Sequence, residues 1–312
     1  MADILETIVA NKRKEVERQK KAVSLQTLLA MGGDRLERPT FSMRQALASS
    51  ATGIIAEFKR KSPSKGWLHP GAQVKEVVPF YAEGGASACS ILTDSDFFGG
   101  SLSDLQQARR LVNIPLLRKD FIIDPYQLYQ ARVMGADAVL LIAACLSKAE
   151  CADLAATAHS LQLEVLLEVH NETELDHLNE HVDMLGVNNR HLGTFNTDVK
   201  HSFKLIDQLK GQAPLLISES GISQTETVKQ LRAAGFRGFL IGETFMKTAQ
   251  PGETLRNFIE ALQGSRKYVA GVMPRISKRS QRRASSGWGS SFMPPHLAVC
   301  CVTRKRPSEC DK

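Results

Sequence analysis

Short apolar runs recur along the chain at 54–58, 88–92, 115–117, 138–142, 164–169, 184–187, 215–217 and 238–241. Each is short enough to be a strand buried in a parallel sheet. Between them, stretches with helical periodicity fall at 73–83, 101–111, 124–134, 147–161, 171–180, 199–210, 223–234 and 251–263. Ser101 and Asp124-Pro125 mark helix starts, and Gly84, Gly135, Gly211 and Gly235 mark stops. Successive strand starts are spaced by about 26 residues on average, the length of one βα unit. Eight units in a row, with no G-x-G-x-x-G turn after the first strand, predict a closed (βα)8 TIM barrel. A doubly wound sheet with two extra units would give a similar pattern.

The flanks read differently. Residues 1–50 place Ile4, Leu5, Ile8, Val9 and Val16 on one helical stripe, with Lys12, Arg13, Lys14, Glu15, Glu17 and Arg18 around it, which predicts a helical extension packed on the barrel at 51–264. Residues 265–312 carry Pro274, Pro294-Pro295 and Ser-Gly runs without an apolar face, and are expected to be a disordered basic tail.

Charge sharpens that division. The formal net charge of +7 is the sum of +9 in residues 265–312 and −2 in residues 1–264, so the basic pI belongs to the tail. No specific nucleic-acid partner is expected, because Tyr268, Trp288 and Phe292 are too scattered to form a stacking platform. No run reaches the roughly 18 apolar residues of a membrane span, and the opening residues lack a signal-peptide pattern. A cytoplasmic protein is expected. Cys89, Cys145, Cys151, Cys300, Cys301 and Cys310 include no C-x-x-C pair. His177 and His181 stand four apart as zinc ligands can, but no third ligand is evident and no metal is expected.

In a (βα)8 barrel the chemistry sits where strands end. Those ends carry Glu57 and Lys59, Asp94, Lys119, Glu168, Asn188-Asn189-Arg190, Glu219-Ser220 and Gly242-Glu243. Ions at the tips of apolar runs are costly to desolvate unless paired or used. Glu57 and Lys59, two apart, point the same way toward the mouth; a structural ion pair is the plainer alternative. Burial lowers the pKa of Lys119 toward proton-transfer values while carboxylates push it back up. The apolar approach to Glu168 is expected to raise its pKa and suit it to acid or base work. The turns at Ser220-Gly221 and Gly242-Glu243, after strands 7 and 8, occupy the usual phosphate position, and Ser62 could add a hydroxyl.

These residues resemble the indole-3-glycerol phosphate synthase family over 1–264. The resemblance is carried by Ile55-Ala56-Glu57-Phe58-Lys59-Arg60-Lys61-Ser62-Pro63-Ser64, Leu117-Arg118-Lys119-Asp120-Phe121-Ile122, Glu168-Val169-His170, Gly186-Val187-Asn188-Asn189-Arg190, Ser218-Glu219-Ser220-Gly221-Ile222 and Leu240-Ile241-Gly242-Glu243. It implies conversion of 1-(2-carboxyphenylamino)-1-deoxyribulose 5-phosphate to indole-3-glycerol phosphate, CO2 and water, in tryptophan biosynthesis. Lys119 would then be the general acid, Glu168 the base or acid of dehydration, and Lys59 the holder of the departing carboxylate. Glu57, Asn188, Glu219 and Ser220 would orient these groups. Ser62, Arg190, Gly221, Gly242 and Glu243 would bind the phosphorylated end, and Phe98, Phe121, Leu140 and Pro63 would wall the aromatic ring. No cofactor is expected, because the substrate's own iminium serves as electron sink. The sequence departs from the family pattern at Gly71-Ala72-Gln73-Val74, at His191 and throughout 265–312.

Two other readings stay open. One is a Schiff-base lyase with Lys119 as nucleophile, and the other is a non-catalytic phosphate-binding barrel. A monomer or weak homo-oligomer is expected.

Overall fold

The computed structural model describes residues 4–190, 197–209 and 214–264. The expected disordered tail, His191 and the helix stop at Gly211 lie outside the described residues. Within them, eight parallel strands close into a barrel: β1 (Ile54–Phe58), β2 (Ala88–Leu92), β3 (Leu116–Lys119), β4 (Ala138–Ile142), β5 (Glu164–Val169), β6 (Met184–Asn188), β7 (Leu215–Glu219) and β8 (Gly238–Ile241). Each pairs with its sequence neighbour, and β1 pairs with β8 to close the ring, Ile54 opposite Phe239. The fold is the TIM barrel, not the doubly wound sheet.

Three strands run further than the apolar pattern indicates. β3 includes Lys119, β6 includes Asn188 and β7 includes Glu219. These polar residues stay in the ladder, with Lys119 opposite Leu92 and Asn188 opposite Glu219. Their polar groups project into a mouth that supplies countercharges, so the strand does not need an apolar tip there.

The outer core lies between strands and helices, while the barrel interior is filled by Ile55, Ala88, Leu117, Ala138, Leu166, Met184, Ile217 and Leu240. Two helices that precede the barrel cap its two ends. α1 (Ile4–Ala22) crosses the C-terminal end of the strands, and α2 (Leu25–Gly32) follows it, packing Leu28 with Val16 of α1 against Tyr126 and Val133. α3 (Met43–Ser49) plugs the opposite end with Met43 and Leu47, fully buried against the barrel interior.

On α1 the expected polar position Lys12 is buried together with Leu5, Ile8 and Val16. Its ammonium meets Asp94 at 2.7 Å, Glu15 at 2.8 Å and Asp120 at 3.0 Å. A fully enclosed cation is tolerated there because three carboxylates replace its hydration. The spacing Leu5, Ile8, Lys12, Val16 is therefore a single docking stripe with an ionic knot in its middle.

After β5 a helix over 171–180 is expected, but only a 3-10 segment, Glu172–His177, forms. Asn171 caps it through the Glu174 amide, and the Glu174 carboxylate turns back to accept the His170 N–H at 2.6 Å. Holding that carboxylate at the strand end ties it away from the outward course of an α-helix. His177 does not act with His181: its ring bonds the carbonyls of Leu146 and Glu174, while His181 packs edge-on against His159.

Candidate active site

A cavity of about 580 Å³ opens at the C-terminal ends of the strands, where a polar rim surrounds an apolar wall. Strand alternation at β1 delivers Glu57, and Lys59 follows on the same face one residue past the strand. Lys59 Nζ lies 3.3 Å from Glu57 Oε1, and Lys119 Nζ donates to Glu57 Oε2 at 3.2 Å. Ser90 of β2 adds a hydroxyl donor at 3.1 Å. Gly242 matters here because a Cβ at that position would stand 2.8 Å from Glu57 Oε1.

The environments of the two lysines differ. Burial lowers the Lys119 pKa, but Glu57, Glu219 and Glu168 together outweigh it and hold this ammonium above the ordinary lysine range. Lys59 is also buried; Glu57 only partly offsets that burial, and Lys119 and Arg190 repel it further, so its pKa falls below the ordinary range. Of the two, Lys59 is the easier proton donor. Burial would raise the Glu57 pKa, but Lys119 and Lys59 reverse this and keep it below the usual carboxylate value.

On the far side, β5 delivers Glu168. Asn188 Nδ2 donates to its Oε1 at 3.0 Å, and the Asn188 amide is oriented by the Arg190 N–H at 2.9 Å. His170 Nε2 sits 3.3 Å from the same oxygen. Against the expectation of a raised pKa, Glu168 is lowered: burial pushes it up, but His170, Lys119 and Asn188 prevail. Glu219 goes the other way, held well above the usual value by burial and by the adjacent Glu168, with only partial relief from Lys119. Glu219 lies beneath the cavity wall at 1 % exposure, and Gly186 makes room for it, since a Cβ there would stand 2.0 Å from Glu219 Oε1.

The other rim carries Ser220 and Gly221, both with positive φ (69° and 73°), and Gly242 leading into the short helix Glu243–Met246. Arg190 donates to Ser64 Oγ at 3.2 Å and lies 4.0 Å from Glu243. Between the two rims Phe98 faces Phe121 with ring centroids 5.9 Å apart, and Leu140 and Pro63 also line the cavity.

Most of the residues singled out in the sequence thus face one cavity: Glu57, Lys59, Pro63, Phe98, Lys119, Phe121, Leu140, Glu168, Asn188, Arg190, Ser220, Gly221, Gly242 and Glu243. Ser62 does not. It is buried, and its hydroxyl accepts the Lys65 N–H at 3.2 Å to brace the turn that presents Ser64 and Lys65 instead. Sequence reasoning missed His170, although it stands two residues from Glu168 on the same strand face. It also missed the part of the wall made by Ile4, Leu5 and Ile8 of α1.

Fold and site together define an enzyme of the (βα)8-barrel class, with a cluster of ionisable groups at the strand ends. The family profile described as indole-3-glycerol phosphate synthase matches residues 5–258. The indole-3-glycerol phosphate synthase of Bacteroides thetaiotaomicron is 61 % identical over 263 residues, covering 84 % of this chain and all of that one. That of Polaromonas naphthalenivorans is 43 % identical over 261 residues, covering 82 % and 98 %. The chain belongs to the indole-3-glycerol phosphate synthase family, the carboxy-lyases of tryptophan biosynthesis. A mutant tryptophan synthase α-subunit from Pyrococcus furiosus shares the fold, with TM-score 0.53 at 15 % identity over 68 % of this chain and 98 % of that one.

Proposed function

We propose that this cavity converts 1-(2-carboxyphenylamino)-1-deoxyribulose 5-phosphate to indole-3-glycerol phosphate, CO2 and water, with the roles assigned below. The observation that carries this reading is the convergence of Lys59 and Lys119 on Glu57, across a partly apolar cavity from Glu168.

Ring closure joins the aromatic carbon bearing the carboxylate to the ketose carbonyl carbon, and the carbonyl oxygen takes up a proton. Lys119 lies deepest among carboxylates and would supply that proton, its charge stabilising the developing alkoxide. The closed ring is an iminium, into which the electrons of the breaking C–CO2 bond flow, so the protein needs no electron sink of its own. Lys59 would hold the departing carboxylate and serve as a second proton donor through its lowered pKa. Dehydration then removes the hydroxyl as water and a ring proton to a base, and Glu168, kept ionised, is that base. Glu57, Asn188, Glu219 and Ser220 would orient these groups.

The phosphate would sit at the Ser220-Gly221 turn and the Gly242-Glu243 helix start, where backbone N–H groups lack intrahelical partners. Arg190, Ser64 and Lys65 bring side-chain donors to the same side of the cavity. Phe98, Phe121, Leu140 and Pro63 would enclose the aromatic ring. A Schiff-base route through Lys119 needs a neutral amine, which Glu57, Glu219 and Glu168 disfavour. We also propose a cytoplasmic location and a monomer or weak homo-oligomer; among the described residues no helix is long and apolar enough to cross a membrane.

The test is product formation from this substrate, followed by indole fluorescence. Turnover supports the assignment. Tight binding without turnover refutes it in favour of a binding barrel, and a borohydride-trapped adduct at Lys119 refutes it in favour of a Schiff-base lyase.

A further inference from the structure

Gly186 has no side chain, and the carboxyl of Glu219 occupies the space above it, beside Glu168 on the paired strand β5. Glu168 and Glu219 are 4 % and 1 % exposed. Two adjacent buried carboxyls disfavour each other's ionisation, and a proton shared by the pair relieves that repulsion. Their surroundings decide which of them holds it.

Both carboxyls feel Lys119, which lies 4.0 Å from Glu219 Oε2, but Glu168 has His170 beside it as well. The ring of His170 is enclosed, its side chain 7 % exposed, with Nε2 3.3 Å from Glu168 Oε1 and Nδ1 3.5 Å from Glu174 Oε2. Each ring nitrogen thus faces a carboxylate. A neutral imidazole always turns one lone pair outward, and here that lone pair would be buried against a negative charge. The imidazolium puts a positive charge between the two carboxylates, which raise the His170 pKa to about 10 against the effect of burial. Glu174 is in turn fixed by the His170 N–H and by the cap at Asn171.

The groups that act on this cluster are few among the described residues. Glu168 comes from β5 and Glu174 from the following turn. Cys145, in the turn after β4, keeps a thiol pushed up by burial and by Glu168 and Glu174. Lys119 of β3 lies 4.0 Å from Glu219 Oε2 and also acts on Glu168, Glu57 of β1 acts on Glu219 with the opposite sign, and Asn188 of β6 donates to Glu168. His201 bonds the His170 carbonyl and not its ring.

We propose that His170, clamped by Glu174, is a positioning residue that sets the proton on Glu219 and leaves Glu168 ionised, so that a base and a neutral acid stand side by side. This rests on the reaction assigned above. Removing the imidazolium lets the shared proton move to Glu168 and disables the base at low pH.

The test compares the pH profiles of kcat/KM for the full chain, His170→Asn and Glu174→Gln on the same substrate. The acid limb should rise by about one pH unit or more in His170→Asn and by less in Glu174→Gln, with recovery toward wild-type rate at high pH. Equal losses at every pH, with the limb unmoved, would make the histidine a packing residue and overturn the proposal. If His170→Asn does not fold, Glu174→Gln and nitrogen-15 spectra of the wild-type histidine rings decide. Imidazolium shifts for His170 at pH 8 are expected, and a neutral tautomer overturns the inference. Absence of turnover in the wild type would refute the assigned reaction, while the ring spectra would still report the charge of His170.

Discussion

Glu57 holds two ammonium groups within 3.3 Å, so each lysine sits in a field set by the same carboxylate. Lys119→Ala should abolish turnover while circular dichroism and melting temperature stay near wild type, because its side chain opens onto a cavity. Glu168→Gln should slow turnover by about 10²–10⁴-fold, the usual worth of a positioned base; unchanged kcat would remove Glu168 from its role. His170 gives a prediction about stability. Its pKa rises from 6.5 unfolded to about 10 folded, so its contribution is fully present below pH 6.5 and is lost as pH climbs to about 10. In urea titrations the deficit of His170→Asn should therefore be largest at pH 6 and shrink steadily toward pH 10. The charged residues of this site were legible because strand tips rarely carry ions without use. Their ionisation states were not: the apolar approach to Glu168 says nothing of a histidine two residues on whose far side is held by Glu174.

At the scale of elements, the apolar runs located all eight barrel strands, since a two-sided core demands them, and missed the polar residues that extend three of them and the short antiparallel pair of Lys61–Ser62 and Gly66–Trp67. What the pattern could not show was that Lys12 belongs to the buried stripe of α1. Its partners Asp94 and Asp120 follow β2 and β3, and the pairing of those two strands brings their ends together beneath α1. The knot matters beyond α1. Asp94 also accepts the Phe97 N–H at 2.9 Å and Asp120 the Phe121 N–H at 2.8 Å, so it braces the segments that carry Phe98 and Phe121. Lys12→Met should cost about 3–5 kcal/mol, the penalty for leaving buried carboxylates without their cation, and the loss is measured by chemical denaturation. A change below about 1 kcal/mol would mean that water replaces the ammonium.

For the whole molecule, the alignment with the Bacteroides thetaiotaomicron relative takes in all of that chain and 84 % of this one, and the family profile ends at residue 258. A 1–264 chain should retain full turnover, and a fall of more than about twofold against the complete chain would give the basic segment a part in catalysis. Closure of the barrel also bears on how the protein is made. The pairing of Ile54 with Phe239 joins residues 185 apart. At about 5–20 residues per second, the edge of β1 waits roughly 10–40 s on the ribosome for its partner. Throughout that interval a mostly apolar strand offers unpaired N–H and C=O groups to any neighbouring nascent chain. Cellular yield should thus depend on chaperone supply and translation speed more steeply than the stability of the finished barrel suggests.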